Sequence, residues 1–181
     1  MMEENIYPQS TPLDEQGIEQ IKHLIDVLGS RSGPEREAAR KEIVAYGKLA
    51  TPYLVEALQN DDRFVRWESA MALGVIADPA SAIALVETLM DEDVGVRWLA
   101  SEALIAIKKA AIVPLLQGIV KYFDSIWLRQ GCYHVLHVFE RENLLDASTQ
   151  QVLEALRSIE PEVSVPWAAE KALEKLGKKN K

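Results

Sequence analysis

The sequence predicts an all-α protein, a right-handed α-solenoid of about five helical hairpins. Two observations favour this fold class: one segment recurs 31 residues after its first copy, and a second segment recurs with the same spacing. A third is that no stretch alternates polar and apolar residues as a half-buried strand does. With 181 residues, 48% of them hydrophobic and 27% charged, the chain suits one domain with a core.

The clearest repeat begins with the tripeptide Val-Arg-Trp, at Val65 and again at Val96. Acidic residues precede both copies, and a stretch rich in alanine and leucine follows each of them. Weaker copies of this segment contain Arg36, Arg129 and Trp167. Residues 54–58 and 85–89 form the second repeated segment, so each unit consists of two helices.

Ten helices are predicted, and turn-forming residues mark their boundaries. In chain order, we expect helices over residues 15–29, 34–46, 51–59, 62–76, 79–90, 94–108, 110–121, 124–140, 146–159 and 163–177. The turn-rich residues 29–34 separate the first two helices, and their proline falls near a helix start. Pro52, Pro114 and Pro166 fall in first turns, where a missing N–H group costs least. Asp146 is a candidate N-cap for the ninth helix.

The predicted helices form a single repeat domain over residues 15–177. Its units span about 15–46, 51–76, 79–108, 110–140 and 146–177. Residues 1–14 contain three acids and two prolines but no clear apolar pattern, so we expect a flexible tail or an arm over the first unit. Residues 178–181 contain three lysines and are expected to form a basic tail.

The repeated pattern Asp-x-x-Val-Arg-x-x-Ala-x-x-Ala-Leu-x-x-Ile resembles the short HEAT-like repeat of the phycobilisome-lyase type. Residues 61–108 carry it most clearly, and residues 15–177 can be aligned with it as five units. The resemblance implies hairpins that stack into a curved solenoid, because one hairpin cannot bury its own apolar face. It implies a concave surface for partners but leaves the function open, since this family includes scaffolds, chaperone-like proteins and a few enzymes.

An arginine recurs near the start of the second helix in four units. This arginine ladder consists of Arg36, Arg66, Arg97 and Arg129. The four side chains could bind anions along one face. Alternatively, each could pair with acids of the preceding turn, such as Asp61 or Asp93, because a guanidinium group fits a carboxylate. The second, structural interpretation is favoured. Pro166 replaces the arginine in the last unit, which suits a terminal cap.

Tryptophan follows the arginine position in three units, and three of the four tryptophans occur there. On its helix, Trp67 lies about 200° around from the core residue Val65. In the resembling family this position lines the concave face, which implies an aromatic ridge for a partner. Packing of the rings on the next helix is the alternative, and Trp127, which is out of register, is assigned to packing. The predicted partner-binding residues are Trp67, Glu68, Met71, Trp98, Leu99, Glu102, Gln130, His134, Trp167 and Lys171.

The sequence offers one pattern that could bind a metal and no catalytic motif. His134, His137 and Glu140 are spaced to share a helix face. A polar spot on the wall of a groove is the favoured interpretation, because no second pair of ligands accompanies them. Cys132 matches a small core position, so we expect an inert buried thiol. The His-Glu dipeptides of HEAT-like hydroxylases are absent, and we expect no catalytic residues, no metal and no cofactor.

Composition and charge narrow the range of partners. A net charge of −8 argues against nucleic-acid binding, which relies on lysine and arginine contacts to phosphate. No uninterrupted apolar run approaches the roughly 20 residues that cross a bilayer, and the first ten residues lack the pattern of a signal peptide. We therefore expect a cytoplasmic protein without nucleic-acid or membrane partners, with the monomer favoured over self-association.

The leading functional hypothesis is a non-enzymatic scaffold or interaction module. It would bind a protein or peptide segment on its concave, tryptophan-lined face. The resemblance leaves a bilin-lyase-like or bilin-handling role as an alternative, since an aromatic groove could cover a tetrapyrrole. A HEAT-like DNA glycosylase is the third hypothesis, and its need for a basic groove conflicts with Glu68 and Glu102.

Overall fold

The computed structural model describes residues 13–158 and 161–179, and within these ranges it contains ten α-helices and no strand. In chain order the helices are α1 (Glu15–Val27), α2 (Gly33–Ala45), α3 (Thr51–Ala57), α4 (Arg63–Ile76), α5 (Ala82–Thr88), α6 (Val94–Ile107), α7 (Ile112–Lys121), α8 (Ile126–Arg141), α9 (Ala147–Leu156) and α10 (Pro161–Lys179). Three 3₁₀ turns, Gly47–Ala50, Pro79–Ser81 and Lys108–Ala111, lead into α3, α5 and α7. The predicted all-α class is confirmed.

Each predicted helix is present, and only the ends differ. The helices predicted to begin at residues 79 and 110 open as 3₁₀ turns, which are common at helix ends. Helix α10 continues to Lys179, two residues beyond the predicted end of the tenth helix. The rest of the predicted tails, residues 1–12 and 180–181, lies outside the described residues.

The acidic residues that precede the Val-Arg-Trp segments are N-caps. Asp62 accepts a hydrogen bond from a backbone N–H group in the first turn of α4, and Asp93 accepts two, from Gly95 and Val96. Burial alone would raise the pKa of Asp93, but these backbone hydrogen bonds and the contact with Arg63 lower it overall. The repeated acids therefore fix where α4 and α6 begin.

The helices form two layers around one core. Helices α2, α4, α6 and α8 pack side by side in what we call the B layer. Helices α1, α3, α5 and α7 follow one another in the A layer, where α3 reaches α5 through the Pro79–Ser81 turn. Leucines from both layers fill the space between them and are fully buried: Leu54, Leu73, Leu85, Leu104, Leu115 and Leu136. Each hairpin thus buries its apolar face only by contact with its neighbours.

The last hairpin is reversed with respect to these layers. Helix α10 packs on α7, in the A layer, while α9 lies against α8, in the B layer. The contact face of α10 includes Val165, Ala169 and Ala172, which are fully buried, and small side chains allow two helices to approach closely. In sequence, the Trp167 segment of α10 aligns with the Val-Arg-Trp segments of the B-layer helices. That alignment does not reveal the exchange, because both helices of a hairpin carry an apolar stripe.

The segment Val94–Lys121 is long and apolar enough to cross a bilayer by length and composition alone. It is not an uninterrupted apolar run, since it includes Arg97, Glu102 and Lys108. In the structure the segment is not one continuous α-helix, because α6 ends before Lys108, which has a positive φ of 64°. Its apolar residues Leu104, Leu115 and Ile119 are fully buried in the core. The high hydropathy of this segment is thus explained by two consecutive helices whose apolar residues lie in the core.

Gly118, in α7, lies where two neighbouring hairpins pack closely against each other. A Cβ atom at this position would overlap Cγ1 of Val86 in α5. Because valine is stiff in a helix, Gly118→Ala should lower the free energy of unfolding by about 1–3 kcal/mol despite the higher helix propensity of alanine. In the control, Gly177→Ala, nothing lies within 4 Å of the added Cβ, and stability should rise by up to about 1 kcal/mol. Urea unfolding followed by circular dichroism measures both changes, and equal effects would contradict the packing described.

Candidate partner-binding cleft

Each member of the arginine ladder donates a hydrogen bond to the loop that precedes its own helix. The acceptor is in every case the backbone carbonyl oxygen six residues earlier. The pairs are Arg36 with Ser30 (2.8 Å), Arg66 with Asn60 (2.9 Å), Arg97 with Asp91 (2.7 Å) and Arg129 with Phe123 (2.5 Å). The sequence predicted carboxylates of the preceding turn as partners, and this detail is wrong. The acceptors are instead backbone carbonyl groups near the end of the preceding helix, where carbonyl groups lack partners within the helix.

The same guanidinium groups also contact the following unit. Arg66 binds Asp91, with Nε to Oδ2 at 2.7 Å, and Arg129 binds Glu162, with Nη2 to Oε1 at 2.7 Å. Arg97 instead lies over the ring of Trp127, 4.6 Å from its centroid. The pKa of Arg66 is raised, chiefly by its hydrogen bond with Asp91. These arginines are therefore engaged in links between units.

Arg66 and Asp91 form the most buried of these links, since each side chain is only 8% exposed. Replacing Arg66 by leucine would leave the Asp91 carboxylate buried without its partner. Arg66→Leu should therefore lower the free energy of unfolding by about 3–5 kcal/mol. The control is Arg63→Leu, which removes an exposed arginine paired with Asp93 at 3.4 Å and should cost less than about 1 kcal/mol.

Thermal and urea unfolding of the two variants measure this difference. A loss of stability for Arg66→Leu no larger than that for Arg63→Leu would show that the ladder does not join the units.

The tryptophans after the arginines differ in exposure because the next unit differs. Trp67 is 37% exposed, and its ring lies on Gly95, where any Cβ atom would overlap it. In the following unit the residue equivalent to Gly95 is Trp127, which is too large to be covered in this way. Trp98 is correspondingly more exposed, at 55%. Packing on the next helix, the alternative raised from the sequence, thus applies to Trp67 more than to Trp98.

Trp98 lies in a cleft between α6 and α8 with a volume of about 230 Å³. Trp127, Arg97 and His134 line the same cleft. The rings of Trp98 and His134 are 4.8 Å apart between centroids and tilted by 37°. The Nε2 atom of His134 lies 3.1 Å from Oε1 of Glu102, so this carboxylate orients the histidine ring. We call this the Trp98 cleft.

The apolar surface of the Trp98 cleft continues along α8. Gln130 is exposed and lines both this cleft and an adjoining one of about 610 Å³, where Ile126 and Tyr133 are also exposed. Val94, one turn before Trp98, adds a further exposed apolar side chain. Val94, Ile126 and Tyr133 are not among the partner-binding residues predicted from the sequence. Val94 and Ile126 could have been found from their spacing, because each lies four residues before a predicted residue, Trp98 or Gln130, and residues four apart share a helix face.

Glu68 does not belong to an exposed ridge, and its assignment to the partner-binding set is corrected. Its side chain is only 6% exposed, and its carboxylate pairs with Arg36, at 3.1 Å, and with Arg40. These two arginines come from α2, so Glu68 links two units and is closed to a partner. Met71 and Leu99 are half-buried, and Leu99 packs against the core. Met71 and Leu99 can therefore offer only part of their side-chain surface to a partner.

Trp167 and Lys171 are exposed but do not extend the row formed by Trp67, Trp98 and Gln130. They line a separate cleft between α9 and α10, together with Gln151. This placement follows from the reversed last hairpin, which takes α10 away from α8. The single ridge predicted from the sequence is therefore divided into two surfaces.

The histidines of α8 have separate partners. His134 faces Glu102, whereas Nδ1 of His137 lies 3.1 Å from Arg157 and 3.4 Å from Glu140. Within residues 13–158 and 161–179, no group of three or more histidine, cysteine, aspartate or glutamate side chains is arranged to hold a metal ion. Cys132 is fully buried, and burial raises the pKa of its thiol. A raised pKa disfavours the thiolate that nucleophilic chemistry requires.

Comparison with known proteins supports the repeat. Residues 21–105 match the family model described as HEAT repeats. The match spans 85 of 181 residues, from within α1 to near the end of α6, and includes Trp67 and Trp98. No curated protein is significantly similar to the chain. Over these residues the chain is similar to HEAT repeats, and its all-helical structure fits an α-solenoid.

Proposed function

We propose that the protein is a non-enzymatic interaction module and that the Trp98 cleft binds a segment of a protein partner. HEAT repeats generally mediate protein–protein interactions, which supports the class of function. The observation that carries the proposal is the exposure of Trp98 beside Trp127. Two adjacent, half-exposed indole rings on a rigid helical layer are typical of the anchors at binding hot spots.

The size of the Trp98 cleft favours a side chain as its occupant. Its volume of about 230 Å³ lies below the roughly 300–1,000 Å³ of pockets that bury a whole small ligand. An apolar side chain from a partner would fit between Trp98 and Trp127, and the rest of the segment would follow Val94 and Ile126.

The energetics also fit a peptide segment. Covering the exposed parts of both indole rings would remove on the order of 200 Å² of apolar surface from water, worth about 5 kcal/mol before the costs of association. Two polar residues that line the cleft, Arg97 and His134, can fix the orientation of the segment, and Glu102 orients the ring of His134. The carboxylate of Glu102 and the net charge of −8 disfavour a DNA duplex as the occupant.

Affinity purification with the variant Trp98→Ala tests the proposal. The wild type and the variant serve as baits in lysate of the source cells, and captured proteins are quantified by mass spectrometry. A partner that binds the Trp98 cleft should be recovered at least about tenfold less by the variant, as expected for a hot-spot residue. The control, Ile83→Ala, removes a side chain that is 62% exposed on α5 in the A layer, and it should leave recovery unchanged.

Circular dichroism must first show that all three proteins are equally helical. Undiminished recovery of every captured protein by Trp98→Ala would contradict the proposal. Loss of the same protein from both variants would place the binding surface elsewhere.

A further inference from the structure

The cleft between α9 and α10 is the second exposed aromatic surface among the described residues. It has a volume of about 600 Å³, and Trp167, 61% exposed, stands at its edge. Ala155 and Ala168 form an apolar floor beside the indole ring. This cleft shares no lining residue with the Trp98 cleft, so the two can be tested separately.

The side chains around Trp167 are mainly basic. Lys171, Lys175 and Lys178 line the cleft against a single acid, Glu174. The Nζ atom of Lys171 lies 3.6 Å from the centroid of the Trp167 ring, so the aromatic and cationic groups adjoin each other. Spacings of four and three residues place the three lysines along one side of α10.

These lysines differ from most others in the described part of the chain. Lys22, Lys41, Lys108 and Lys121 each form a salt bridge with a glutamate. Among the described residues, no carboxylate lies within salt-bridge distance of Lys171, Lys175 or Lys178. A protein with a net charge of −8 thus concentrates unpaired positive charge beside an exposed tryptophan.

We infer that the α9–α10 cleft binds an acidic peptide segment of a partner protein, with one apolar side chain placed against Trp167. Carboxylates of the segment would pair with Lys171 and Lys175, and the apolar side chain would cover the floor formed by Ala155 and Ala168. A peptide fits better than a nucleic acid, because the acidic remainder of the surface would repel a long phosphate backbone. A small inorganic anion would leave the indole ring unused.

Selection from a phage-displayed library of random dodecapeptides tests this inference. The immobilised full chain should enrich peptides that combine several acids with an aromatic or large aliphatic residue. Synthetic peptides of these sequences should bind in solution and bind more weakly as salt is raised. Lys171→Glu with Lys175→Glu should weaken binding by about a hundredfold, and Trp167→Ala by about tenfold, as expected for charge reversal and for loss of an aromatic anchor.

The matched control is Lys48→Glu with Lys109→Glu, which makes the same change in net charge at exposed lysines outside the cleft. It should bind these peptides within about twofold of the wild type, apart from general charge effects. Trp98→Ala should also bind them normally, which separates this inference from the proposed function.

Three results would overturn the inference. The first is enrichment of peptides without acids, or retained binding by the Lys171→Glu, Lys175→Glu protein. The second is equally tight, lysine-dependent binding of single-stranded oligonucleotides, which would identify a site for polyanions. The third is concentration-dependent self-association that the two charge reversals abolish, which would make a second copy of the chain the occupant.

Discussion

The arginine ladder is the interaction on which the stack of hairpins depends. Each guanidinium group bonds backward to a carbonyl group of its own unit, and most also bond forward to a carboxylate of the next. A single hairpin leaves one apolar face uncovered, so these polar links fix the distance at which the next hairpin covers it. The pair of Arg66 and Asp91 shows this most clearly, because each side chain is only 8% exposed.

The candidate binding surface arises where the repeat departs from its own pattern. Between α4 and α6 the regular arrangement is complete, since Trp67 lies on Gly95. Between α6 and α8 the equivalent glycine is replaced by Trp127, and the forward contact of Arg97 is a ring instead of a carboxylate. The result is a cleft with two half-exposed indole rings between units that the ladder links. The same repeat positions therefore hold residues that join the units between α4 and α6 and residues that form the candidate binding surface between α6 and α8.

The fold could be predicted from the sequence more completely than the site. Helix positions followed from the repeat and from turn and cap residues such as Asp146, which are local signals. The layer that α10 joins could not be predicted, because α9 and α10 both carry an apolar stripe and only the packing of the whole chain decides which of them contacts α7. Glu68 was predicted to be exposed because it lies next to Trp67, yet Arg36 and Arg40 of the preceding unit bury it. The exposure of Trp98 likewise depends on a residue that follows it by one whole unit.

The most direct test of the central claim is a contact measurement at the Trp98 cleft inside cells. A photo-reactive amino acid at Gln130, which is exposed beside the cleft, would be activated by light, and covalent adducts would be identified by mass spectrometry. The same amino acid at Ile83, exposed on α5, gives the comparison. We predict a specific protein adduct from position 130 that position 83 does not form. Adducts from position 83 alone, or the same adducts from both, would contradict a partner site at the Trp98 cleft.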